Sequence, residues 1–119
     1  MKFSNLVIEG EDISVLIDIF RNAFSPSFVY TSQSGKMNIF ILEEYKFWQD
    51  SDVAVIAMFD FETNNNCTIT IVSAGGKTSI LRLDLFGAEK SMVNKIETFF
   101  QALTKERKWN ITFPPDAIL

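Results

Sequence analysis

The 119-residue chain has no histidine, a single cysteine, three prolines and five glycines. Without histidine it lacks the usual general base near neutral pH and the commonest transition-metal ligand. One cysteine, Cys67, excludes an intrachain disulfide. No apolar run approaches the ~20 residues that a membrane span needs. The opening stretch "MKFSNLVIEGEDIS" carries acids and no continuous apolar segment, so it does not read as a signal peptide. Two triplets, Asn66-Cys67-Thr68 and Asn110-Ile111-Thr112, match the glycosylation acceptor but have no meaning without secretion. The expectation is a cytoplasmic, reducing environment and no membrane partner.

Positive charge is also sparse. Eleven basic residues face fifteen acidic ones, for a net charge of −4. Sequence-independent nucleic-acid binding rests on clustered Lys and Arg, and the one basic run, Lys105-Glu106-Arg107-Lys108, falls where a helix would end. Cations there complement the helix dipole, so no nucleic-acid partner is expected.

What the chain has in abundance is apolar and aromatic surface: 47% of residues are apolar and 12 are phenylalanine. The length fits a single domain, 1–119, and at this size a chain can bury about two-thirds of its unfolded surface and fold without staples. Such bulk implies either a large core or a second apolar surface beyond it.

"EDISVLIDIFRNAF" places Ile13, Leu16, Ile17, Phe20 and Phe24 at helical spacing, with Val15, Ile19 and Ala23 widening the face. Ser25-Pro26 ends this helix, because proline disfavours helical geometry in the residue before it. A second helix is predicted over 88–107, with Met92, Val93, Ile96, Phe99, Phe100 and Leu103 on one side. Between the helices the period falls to two. Strands are predicted over 28–31, 37–46, 53–61, 67–73 and 78–85, after an opening strand over 3–8. The joints "SQSGK", "QDSD", "ETNNN" and "AGGK" are turn-like and short, which makes the sheet an antiparallel meander. The expected fold is α+β: an antiparallel meander sheet of five or six strands, two helices on one face, in the order strand, helix, five strands, helix.

Register follows from which residues need burial. Val55, Ala57, Phe59 and Phe61 pair with Ile71, Ile69 and Cys67 across "ETNNN"; Ile71, Ile69 and Cys67 then face Leu81, Leu83 and Leu85. A Ser34-Gly35 turn sets Phe28 and Tyr30 against Ile41 and Ile39, and the helices cover this face. The opposite face then carries Val29, Phe40, Leu42, Ile56, Met58, Val72 and Ile80 among Glu44, Asp60, Thr68, Thr70, Arg82 and Asp84. A sheet face in water should be mostly polar, so something covers part of this one. Phe40, Leu42, Ile56, Met58, Val72 and Ile80 are the candidate interface. The tail 109–119, "WNITFPPDAIL", alternates Trp109, Ile111 and Phe113 and reads as an extended segment that docks on its own domain or adds a strand.

The sharpest chemical question is "SAGGKTS", which resembles the end of a phosphate-binding loop. Such a loop needs a glycine five positions before Gly76, where Ile71 stands, and a helix at once after it. "SILRLDLFG" alternates like a strand instead, so Gly75-Gly76 reads as a hairpin turn. Cys67, beside Phe59 and Phe61, reads as a buried small hydrophobe. Asp60, Glu62, Asp84 and Arg82 could share the outer face, where ordinary cross-strand ion pairs are expected. An Asp50-Ser51-Asp52 turn is far short of a calcium loop. Tyr45, Phe47, Trp48 and Trp109 stand at element ends as core edges or interface anchors.

The stretch from Ser73 to Phe100, "SAGGKTSILRLDLFGAEKSMVNKIETFF", resembles a group of small bacterial domains of unknown function. That resemblance implies an intracellular bacterial α+β protein and carries no catalytic residues. At fold level a sheet gripped by a long C-terminal helix is similar to helix-grip domains that hold hydrophobic ligands, although their paired early helices are missing here. Catalytic, cofactor and metal residues are therefore expected to be none. The expected function is a non-enzymatic binding or protein-interaction module, self-associating as a homo-oligomer or holding a protein partner through the second sheet face. The alternative is a carrier of a small hydrophobic ligand between sheet and long helix, walled by Phe59, Phe99 and Phe100.

Overall fold

The chain begins with β1 (Lys2–Glu9), passes through a single 3-10 turn (Ile13–Val15) into α1 (Leu16–Phe24), and continues through β2 (Phe28–Thr31), β3 (Met37–Lys46), β4 (Ser51–Thr63) and β5 (Asn66–Gly75). The long α2 (Arg82–Arg107) and the short β6 (Asn110–Thr112) follow. This is a computed structural model in which residues 2–46, 51–75 and 82–114 are described. Six strands form one antiparallel sheet in the order β2-β3-β4-β5-β1-β6, with both helices on one face.

Local chemistry explains the joints. α1 stops where Ser25 turns left-handed (φ 46°) and donates its N–H to Arg21 O, with Pro26 beyond it. Gly35, at φ 79°, makes the β2–β3 turn, its N–H donating to Ser32 O. Asn64 and Asn65 form the β4–β5 turn, after a register shift between Phe61 and Thr63. α2 ends in a Schellman arrangement: Lys108 adopts φ 60°, Lys108 N–H donates to Lys105 O and Trp109 N–H to Thr104 O.

The predicted register of β4 against β5 is found: Ala57 faces Ile71, Phe59 faces Ile69 and Phe61 faces Cys67. The far side of β5 is a correction. Ser4, Leu6 and Ile8 of β1 face Ile71, Ile69 and Cys67, where Leu81, Leu83 and Leu85 were expected. Residues 82–85 belong to α2 instead, so four strands separate the helices, and the sixth strand comes from the tail. Alternation in "SILRLDLFG" was outweighed by tertiary context, because β1 supplies a better-placed apolar edge for β5. The expected hairpin at Gly75-Gly76 reaches into residues 76–81, outside the described ones. The phosphate-loop reading still fails at its first glycine, since Ile71 is a buried strand residue, although a helix does follow.

A second correction concerns faces. β3 pairs with β4 so that Phe40 faces Ala57 and Leu42 faces Val55. Phe40 (0% exposed) and Leu42 (3%) therefore lie in the core, while Ile39, Ile41, Phe28 and Tyr30 turn outward. The β2–β3 register is as predicted, but the β3–β4 connection has the parity that moves both strands by one residue. A shift of one reverses every side chain. Both sides of β3 are apolar, so neither choice carried a sequence penalty.

Phe20 of α1 sits at the centre of the core. Its ring lies 5.3 Å from Phe40, 5.0 Å from Phe59 and 5.7 Å from Phe100, the last nearly parallel. Val93, Ile96 and Phe100 of α2 are fully buried, as predicted for that helix face. Ser4 is a polar exception on this face, its hydroxyl donating to Glu97 Oε2 of α2.

The tail does add a strand: Thr112, Ile111 and Asn110 pair with Val7, Ile8 and Glu9. Gly10 N–H donates to Asn65 O on the β5 side, so alternation directs the backbone groups of Glu9, Val7 and Asn5 toward β6. Continuing β6 would bring residue 114 opposite Asn5, and Pro114 has no N–H to offer. β6 stops at Thr112.

Phe20→Ala is expected to lower the unfolding free energy by about 3–5 kcal/mol. Phe28→Ala, at a position 52% exposed, should cost less than about 1 kcal/mol in dilute protein. Urea titrations of the two variants check the assignment of faces.

Candidate interaction face

Register places the outward side chains in rows across five strands, from β2 through β3, β4 and β5 to β1. One row reads Phe28, Ile41, Ile56, Val72, Phe3. The next reads Tyr30, Ile39, Met58, Thr70, Asn5. Eight of these ten side chains are large apolar or aromatic groups, and Phe28, Tyr30 and Ile56 are 52%, 47% and 38% exposed. Both helices lie on the other side, so nothing among the described residues covers these rows. Strands ~4.8 Å apart make each row ~19 Å long.

Of the six residues predicted for the interface, Ile56, Met58 and Val72 are brought together here, with Ile56 directly opposite Val72. Phe40 and Leu42 are on the helix-covered face, and Ile80 lies outside the described residues. Phe3, Phe28, Tyr30, Ile39 and Ile41 were missed as outward residues. Correct parity of the β3–β4 connection would have found four of them, and pairing β1 with β5 would have found Phe3.

Polar groups flank the rows at one end. Thr68 Oγ1 donates to Glu62 Oε1 (3.2 Å), Thr70 Oγ1 to Asn5 Oδ1 (3.5 Å) and Asn66 Nδ2 to Glu9 Oε2 (3.4 Å). The predicted grouping of Asp60 with Asp84 and Arg82 does not form, because the last two belong to α2. Among the described residues no group of three or more Cys, Asp or Glu side chains could hold a metal ion. No helix among them is long and apolar enough to cross a membrane.

Two further places could have held chemistry. The rings expected to wall a ligand pocket instead fill the space between sheet and α2: Phe59 and Phe100 are fully buried, 6.0 Å apart, with Phe99 5.4 Å from Phe100. An open cleft of about 920 Å³ lies at the sheet end, lined by Glu9, Gly10, Glu11, Asp12, Asn66 and Trp109 among others. There Trp109 Nε1–H donates to Glu11 O (2.9 Å), and the Arg107 guanidinium lies 5.7 Å from the ring centroid. Phe47 and Trp48 are outside the described residues.

Cys67 is fully buried. Burial pushes its thiol up from the ordinary 9.0 to about 12, and the Asp60 carboxylate adds to the rise. A thiol held neutral is a poor nucleophile, in line with a packing role. Because the unfolded chain loses this proton first, the thiol's contribution to stability is complete below pH 9.0 and is lost toward about 12. Cys67→Ala should remove this component from a plot of stability against pH, as measured by denaturant titration. Native Cys67 should resist a thiol reagent at pH 8 until the protein is unfolded.

Gly10 meets the flat of Trp109 so closely that a methyl group there would stand 2.0 Å from its Cδ1. Gly10→Ala should therefore displace the indole, break the bond to Glu11 O and cost about 1–3 kcal/mol. The indole N–H resonance and the urea midpoint report it.

Comparison with models of protein families, with curated proteins and with solved structures found no match for this chain.

Proposed function

We propose that this chain is a non-enzymatic interaction module that self-associates through the uncovered face of its sheet. The observation that carries this is the pair of apolar rows centred on Ile56 and Met58, with Phe28, Tyr30 and Ile56 each more than a third exposed. Contiguous apolar surface of this kind marks contact sites in soluble proteins. Five strands and two rows give an apolar patch of roughly 300 Å² in projection, within the size range of the largest, often functional, patches on soluble proteins. Catalysis has little to draw on: the chain has no histidine, Cys67 is buried and neutral, and residues 82 and 84 belong to α2 rather than to the sheet. A carrier of an apolar ligand is less well supported, since Phe20, Phe59 and Phe100 occupy the space such a ligand would need.

Sedimentation of the protein at low micromolar concentration should give twice the chain mass, and Met58→Lys should return it to a single chain with unchanged circular dichroism. A strict monomer whose behaviour is indifferent to Met58→Lys would refute self-association.

A further inference from the structure

β2 is the outermost strand at one end of the sheet, paired on one side only. Ser32 N–H donates to Met37 O of β3, and Ser27 N–H to Ile41 O. Backbone groups alternate sides along a strand, so those of Phe28 and Tyr30 also turn toward β3. The N–H and C=O of Val29 and Thr31 therefore point away from the sheet. Among the described residues no strand pairs with that side.

The two ends of the sheet are finished differently. At the far end β6 is three residues long, and Pro114 follows where its ladder would continue. Soluble proteins commonly guard a sheet edge with proline or with charged side chains. Within its four residues, "FVYT", β2 has neither, and the chain carries no charge from Asn22 to Gly35. Phe28 and Tyr30 are also the most exposed large apolar or aromatic side chains among the described residues. Their rows end on β2, with no neighbour on the outer side of it.

We propose that the β2 edge takes up an extended, uncharged segment of another protein as a further strand. Unpaired N–H and C=O groups two residues apart are met in full by another extended backbone, whereas a helix bonds its own groups internally. A strand at the usual ~4.8 Å would flank Phe28 and Tyr30 from the side, so its outward residues are apolar or aromatic. On the other side its residues would stand beside half-buried Val29 and exposed Thr31. With no charge along this edge, no charged group on the segment would find a partner. The edge is separate from the face proposed above for self-association, and the two contacts can form together.

The probe is a short synthetic peptide of alternating threonine and valine around a central tyrosine, with blocked ends. It is added in excess to the whole, isotope-labelled chain, and amide hydrogen exchange is followed by NMR. The peptide should slow exchange at Val29 and Thr31 about tenfold, with Phe28 and Tyr30 little changed because β3 already holds them. Val29→Pro removes one outward donor without breaking a bond to β3, and should abolish the slowing. Thr31→Pro serves the same purpose if Val29→Pro folds poorly. Met58→Lys should leave peptide uptake intact. Peptide shifts confined to Ile56 and Met58, slowing that survives proline, or no slowing would each overturn the proposal. So would protection of Val29 and Thr31 that rises with protein concentration alone, since a second copy would then hold the edge. Self-association through the face is decided separately, by the sedimentation of Met58→Lys.

Discussion

The seating of Phe20 between sheet and long helix is the constraint on which the rest of the molecule depends. One ring from a nine-residue helix touches Phe40 and Phe59 of the sheet and Phe99 and Phe100 of α2. It ties α1, the sheet and α2 to one point. Once that ring is in place, Phe40 and Phe59 must face the helices, and alternation along β3 and β4 sends Ile39, Ile41, Ile56 and Met58 the other way. The apolar outer face is thus a direct consequence of the inner one. These strands carry large apolar residues at successive positions, and two helices can shelter only a single side.

Among the described residues, the outer face brings together no group of three or more Cys, Asp or Glu side chains that could hold a metal ion. Its polar residues pair with each other, as Thr68 does with Glu62 and Thr70 with Asn5. Its centre is aliphatic and aromatic and spans five strands. Such a surface gains free energy by leaving water, which is the basis of the association proposed above.

Much of this was legible before any coordinates. Both helix faces, the β4–β5 register, the Gly35 turn and the fold class follow from spacing and turn chemistry, and the structure has them all. Two things were not legible, for different reasons. The face of β3 depended on the parity of one connection, and Ile39 and Ile41 are as apolar as Phe40 and Leu42, so composition could not arbitrate. The segment "LRLDLFG" alternates as a strand would, yet residues 82–85 are helical, because the edge of β5 is taken by β1 from the far end of the chain. Local pattern cannot report a competitor about seventy-five residues away. The reading of the outer face inherited both errors: Ile56, Met58 and Val72 do turn outward, while their aromatic neighbours on β2 were assigned to the wrong side.

The placement of β1 carries a consequence for how the molecule comes into being. β1 lies between β5 and β6, so the first strand made is an inner strand, flanked on both sides by segments made long after it. Val7 and Thr112 are neighbours although about a hundred residues separate them along the chain. During synthesis β2, β3 and β4 can zip as a local meander, while the first strand waits for β5 and the last turn of the tail. Closure over such distances is slow. Through that interval the outer side of the growing sheet, and the part of the inner side that α2 will cover, are exposed apolar surface, and the nascent chain is most at risk of sticking to its neighbours before β1 and α2 are in place.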